Sequence, residues 1–159
     1  MKNLKCLVLG YDGLESLDKD AFSGLVKLKY VDLGKNKLKY LHQDTFIGLP
    51  NTQNIYVDSS CGLHAPTDRP FINSHSLSHR GISSCNVHSV SVETFTNVST
   101  LERLDLKYNN LGPADINILI ALSKLSKIYV YGNRQQCNCQ LQKVWRWCED
   151  RNIETAVRE

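Results

Sequence analysis

Apolar residues recur along this chain of 159 residues with a period of 24, and the same offsets stay apolar from one period to the next. Periods open at Leu4, Leu28, Thr52, Leu77, Leu101 and Leu125; the one interval of 25, from Thr52 to Leu77, takes an inserted residue near Asp58, Ser59 and Ser60. The fourth position reads Leu7, Val31, Ile55, Arg80, Leu104, Ile128, and the sixth reads Leu9, Leu33, Val57, Ile82, Leu106, Val130. The eleventh reads Leu14, Leu38, Leu63, Val87, Leu111. Later in each period come Phe22, Phe46, Phe71, Phe95 and Leu119, then Leu25, Leu49, Ser74, Val98 and Leu122.

Polar residues alternate with the fourth and sixth positions, which is the spacing of a strand with one buried face. A short strand cannot close a core alone. Stacked at about 4.8 Å, such strands form a parallel sheet whose inward residues make one apolar column. The Phe series predicts a second column under the opposite, convex wall. Arg80 and Ser74 interrupt the pattern, so the fourth period is expected to be distorted. The ninth position holds Asn36, Asn109 and Asn133, whose side chains can satisfy backbone groups left open at the turn. Asp12 takes that place in the first period, and Cys61 and Cys85 take it in the third and fourth, counting back past the insertion.

The run Leu-x-x-Leu-x-Leu-x-x-Asn-x-Leu, read at 28–38 with Val31 in one slot and again at 101–111, resembles the leucine-rich repeat family. The resemblance covers residues 4–135. It implies an α/β solenoid: a curved parallel sheet on the concave face, short helices and turns on the convex face, and a C-terminal helical cap. The period length and the Phe column resemble the typical subclass found in extracellular receptors and adhesion proteins.

After Asn133 the period stops. Leu141, Val144, Trp145 and Cys148 then share one face of a helix, which would cover the last rung. The stretch through Cys137-Asn138-Cys139 to Trp145 resembles the cysteine-flanked C-terminal cap of extracellular members, most closely the arthropod-type ones. We therefore divide the chain into about six repeats over 1–135 and the opening of a cap over 136–159. Such caps carry later cysteines, which this sequence does not reach, and a helix would hold Cys139 and Cys148 about 13 Å apart against the roughly 7 Å a bridge allows. A C-terminally truncated cap is the expectation. Cys6 faces outward in the first repeat, where an N-terminal cap could have held its partner. The N-terminus reads as mature sequence rather than a leader, because Tyr11, Asp12 and Glu15 break its apolar stretch.

Six cysteines permit several pairings. Cys61 and Cys85 lie on adjacent rungs with Cα atoms near 5 Å, which suits either a disulfide or two reduced thiols in turn positions. Cys137, Cys139 and Cys148 are the other disulfide candidates. His64 and His88 each follow those turn cysteines by three residues, but they point outward while the cysteines point inward, so no metal site is assigned. Asn97-Val98-Ser99 is the one glycosylation sequon.

A formal charge of +3 with scattered basic residues argues against nucleic acid as the partner. No apolar run is long enough to span a bilayer. No phosphate loop, zinc-protease helix or nucleophile elbow is present, so no catalytic residue or cofactor is assigned. The outward strand positions remain. Tyr30, Asp32, Asn54, Tyr56, Asp58, His79, Arg103, Asp105, Lys107, Lys127, Tyr129 and Tyr131 would line the concave face. Cys6, Val8, Gly10, Gly34, Gly81 and Ser83 fill its remaining places. Tyrosines beside charges of both signs suit protein recognition. The resemblance implies a secreted or cell-surface protein serving innate recognition, adhesion or signalling, with a protein ligand first and a glycan or microbial surface molecule second. An intracellular scaffold or enzyme regulator with reduced cysteines is the alternative.

Overall fold

The computed structural model describes residues 1–60, 62–64, 68–96, 98–134 and 139–155. Its strands are β1 (Cys6–Val8), β2 (Tyr30–Asp32), β3 (Asn54–Tyr56), β4 (His79–Gly81), β5 (Arg103–Asp105), β6 (Lys127–Tyr129) and β7 (Glu154–Thr155). They form one parallel sheet in chain order, the arrangement of a stacked repeat. Register follows the sequence period: Leu7 pairs with Val31, Val31 with Ile55, Arg80 with Leu104 and Leu104 with Ile128. Between β1 and β6 the one longer interval is that from β3 to β4, where Ile55 meets Arg80.

The two apolar columns form as the pattern requires. Val31, Ile55, Leu104 and Ile128 are buried under the sheet, and Leu33, Val57, Ile82, Leu106 and Val130 lie beside them. Phe22, Phe46, Phe71 and Phe95 are all buried beneath the convex wall, with Phe22 and Phe46 stacked at 5.5 Å between centroids. Each such side chain stabilises the stack by about 1.5–3 kcal/mol on burial.

Arg80 is the exception, and it corrects an expectation. Rung four is not displaced: His79, Arg80 and Gly81 keep register with Arg103, Leu104 and Asp105. Instead the arginine goes inward, 1% exposed, and lays its guanidinium 4.7 Å from the Phe71 centroid and 5.9 Å from that of Phe95. The ring faces supply partial compensation. None of its three nitrogens has a hydrogen-bond partner among the described residues. Burial pushes its pKa down to about 9, so the side chain is still a cation at neutral pH.

The turn after each strand is held the same way along the stack. Tyr11, Lys35, Ser59, Ser84, Tyr108 and Gly132, one per rung, all adopt positive φ. Ser59 keeps step with the others, so the inserted residue follows it, and the next residue, Ser60, is fully buried. Cys61 lies outside the described residues. The asparagines then close the turn. Asn109 donates through Nδ2 to the Ile82 and Leu106 carbonyls, at 2.7 and 3.1 Å, and accepts the Cys85 and Val87 amides at Oδ1. Asn36 and Asn133 repeat the arrangement. Cys85 stands in for asparagine, its Sγ set against the Val57 and Ser83 carbonyls at 3.1 and 3.3 Å.

The cap helix was expected, but two features, a helix in the fifth rung and strand β7, had no counterpart in the sequence pattern. In the fifth rung the convex side forms a short helix, α1 (Pro113–Asn117), which runs into a 3-10 turn at Ile118–Ala121. Asp115 anchors it, accepting from the Gly112 amide at 2.9 Å and from Val90 of the rung before at 3.1 Å. At the C-terminal end, α2 (Cys139–Asp150) packs against α1, burying Leu141, Val144 and Cys148 with Trp145 and Trp147 partly covered. The chain then returns as β7, with Glu154 paired to Lys127. The sheet therefore continues beyond the cap helix, on a rung three residues longer than the rest.

Candidate functional site

One face of the sheet is free of any packed layer among the described residues, and the strand geometry assigns it three columns. The outer column runs Cys6, Tyr30, Asn54, His79, Arg103, Lys127. The middle runs Val8, Asp32, Tyr56, Gly81, Asp105, Tyr129, and the inner Gly10, Gly34, Asp58, Ser83, Lys107, Tyr131. All twelve residues expected on this face are there, and every one is half-buried. Half burial on a hydrogen-bonded sheet means the side chains are already held by their neighbours.

The N-terminal half is acidic and carries a tyrosine pair. The Tyr30 and Tyr56 rings meet at 5.4 Å. Burial raises both phenol pKa values, and Asp32 adds to the effect at Tyr30. Asp32 accepts the Gly34 amide at 2.8 Å. The Asp58 carboxylate reaches across to the Ser83 amide at 2.6 Å. Burial raises its pKa against the pull of that hydrogen bond. Gly10 and Gly34 leave an open groove of about 310 Å³ here, walled by Val8, Tyr11, Asp32, Lys35 and Asp58. Lys35 caps its rim by contact with the Tyr11 hydroxyl and ring.

The C-terminal half is basic and aromatic. Tyr129 is surrounded by Arg103, Lys107 and Lys127 at 5.1, 5.4 and 5.8 Å from its ring centroid. Lys107 pairs with Asp105 at 2.8 Å and Lys127 with Glu154 at 2.6 Å. At Lys107, burial acts to lower the pKa, but the bond to Asp105 and the nearby Tyr131 outweigh it and the pKa is raised. At Lys127 the Glu154 carboxylate raises it directly. Tyr131 also meets Tyr108 edge to face at 5.3 Å. Glu154 and Tyr108 escaped the sequence reading, Glu154 because β7 lies off the period and Tyr108 because it sits in the turn rather than the strand.

The other candidates divide. Cys139 and Cys148, expected as disulfide candidates, are not bridged to one another or to any other described residue. Burial and then Glu149 push the Cys148 thiol up to about 11, so it stays protonated and is no nucleophile at neutral pH. Cys85 is buried in its turn. Cys61, Cys137 and Asn97 lie outside the described residues. His64 and His88 line a small cleft of about 100 Å³, where His64 meets the Lys39 carbonyl and His88 meets Asn110. Among the described residues no group of histidine, cysteine and carboxylate side chains is arranged to hold a metal.

Comparison with known proteins agrees with this geometry. The Leucine rich repeat family profile matches residues 2–61. The crystal structure of a TLR13–ssRNA13 complex superimposes with a TM-score of 0.82 over 97% of this chain, at 24% identity. The fold is a leucine-rich repeat solenoid. Among curated proteins, human Toll-like receptor 5 is 30% identical over 116 residues, 70% of this chain. The chain spans only 13% of that receptor and 22% of the solved chain.

Proposed function

We propose that this solenoid is a ligand-binding segment of a secreted or cell-surface protein, recognising a protein partner through its concave face in innate recognition, adhesion or receptor signalling. One observation carries the reading: twelve polar and aromatic side chains stand half-buried and mutually fixed on a sheet face that no other part of the described chain covers. A surface ordered before binding loses little conformational entropy when the partner arrives. The receptor-like relatives support a role in recognition. No helix of the described residues is long and apolar enough to cross a membrane.

The test is binding of the tetramerised chain to intact cells. Alanine at Tyr56, Asp58, Arg103 and Tyr129 should abolish it, while alanine at the convex residues Lys19, Val26, Ile47 and Val92 should not. Equal binding by both variants refutes the concave-face reading. A second reading is an intracellular scaffold or enzyme regulator with reduced cysteines. A thiol count on native protein separates the two, since the extracellular reading expects oxidised cysteines and a glycan at Asn97.

A further inference from the structure

The charges on the concave face do not all find partners within the chain. Asp105 is neutralised by Lys107 and Lys127 by Glu154. Asp32 has no ion-pair partner among the described residues; one oxygen accepts the Gly34 amide and the carboxylate borders the glycine-floored groove. Arg103 likewise has none, and its guanidinium rests on the Tyr129 ring. Among the described residues the face thus keeps two aspartates without an ion pair, Asp32 and Asp58, at the groove and one such cation, Arg103, three strands from Asp32, all half-buried.

Their separation is set by the fold. Asp32 on β2 and Arg103 on β5 are three strand steps apart, about 14 Å, and offset along the strands by two residues, about 7 Å. The straight distance is about 16 Å. An extended peptide advances about 3.4 Å per residue and returns a side chain to the same face every second residue. A step of four residues covers about 14 Å with both side chains facing the sheet, and the length of the side chains closes the remainder.

From this charge complementarity we infer that the concave face takes an extended segment of a partner protein bearing a lysine or arginine and an aspartate or glutamate four residues apart. The cationic side chain enters the groove over Gly10 and Gly34 beside Asp32 and Asp58, with its aliphatic stem against Val8. The carboxylate pairs with Arg103 on the Tyr129 ring. The inference rests on the concave-face reading and specifies the chemistry of its partner.

The experiment is an NMR titration of the 15N-labelled chain with acetyl-Ser-Lys-Ser-Thr-Ser-Glu-Ser-amide, beside the same peptide with glutamine in place of both charged residues. The backbone amides of Gly34 and Arg103 should shift together, and the neutral peptide should bind about tenfold or more weakly. Arg103→Glu should weaken the Lys/Glu peptide by a similar factor and bind acetyl-Ser-Lys-Ser-Thr-Ser-Lys-Ser-amide in preference. Should that variant not fold, Asp32→Lys with a peptide carrying two glutamates gives the corresponding swap, and the comparison of charged and neutral peptides on the unaltered chain stands regardless. Equal binding of neutral and charged peptides, an unchanged preference in the swapped variant, or no shift at Gly34 and Arg103 overturns the inference. Shifts spread over the concave face without charge preference defeat this inference alone. Shifts confined to the convex wall count against the concave-face reading as well.

Discussion

The ring of Tyr56 occupies the space above Gly81 that any side chain there would need: a Cβ on Gly81 would lie 2.6 Å from Tyr56 Cδ1 and 2.7 Å from Asp58 Oδ2. The glycine backbone is not in the left-handed region, so the constraint is one of room rather than of dihedral angle. Gly81→Ala should therefore push Tyr56 and Asp58 off their present positions and destabilise the chain by about 1–3 kcal/mol in urea unfolding. Gly48→Ala, where nothing lies within 4 Å, is the control and should be close to neutral. A Gly81 variant as stable as the Gly48 variant would show that the two side chains yield freely.

Arg80 offers the opposite result, a gain. A buried cation without a hydrogen-bonding partner costs several kcal/mol, and the faces of Phe71 and Phe95 return only part of that. Met has a similar length and no charge. Arg80→Met should raise stability by about 1–4 kcal/mol, seen as a higher melting temperature with an unchanged circular dichroism spectrum. A lower melting temperature would mean that the cation is better accommodated than its surroundings suggest.

Asp58 should show itself in the pH dependence of stability. Burial raises its pKa in the folded chain, so the native state holds the proton more tightly than the unfolded chain does. Its ionisation costs stability at pH values above the native pKa, and that cost vanishes below the unfolded value of about 3.9. Asp58→Asn keeps an acceptor for the Ser83 amide and removes the ionisation. The variant should melt above the parent at neutral pH, with the gap closing as the pH falls towards about 4. A gap that widens on acidification contradicts the assignment.

Asn109 ties two rungs together through five backbone groups, and alanine leaves the amides of Cys85 and Val87 buried without their acceptor. We expect Asn109→Ala to cost on the order of 3 kcal/mol, from the penalty for unsatisfied buried groups. Hydrogen exchange should speed up most at those two amides. Exchange at the parent rate would mean that solvent or another group replaces the asparagine.

What could be read in the sequence was whatever repeats. Strand positions, register and the Phe column followed from the period, because each depends on the same offsets being apolar in every rung. The twelve residues of the concave face followed from strand alternation. Departures from the period were not legible in the same way. Arg80 signalled a disturbance, but its charge alone could not tell a strand that shifts from a side chain that buries between two aromatic rings. Helix α1 depends on Asp115 bridging to Val90, a contact between rungs that no local pattern reveals. Strand β7 falls outside the repeat length, so Glu154 was missed although it completes the Lys127 pair. The lean of Tyr56 and Asp58 over Gly81 depends on three residues from two rungs at once.

A linear array transmits load only between adjacent units, so its mechanical continuity is decided by its poorest junction. In this chain rung four places a buried cation where its neighbours place hydrocarbon. Asp32 lies on one side of that rung and Arg103 on the other, so the distance a bound segment has to span is carried across the junction where charge replaces hydrocarbon.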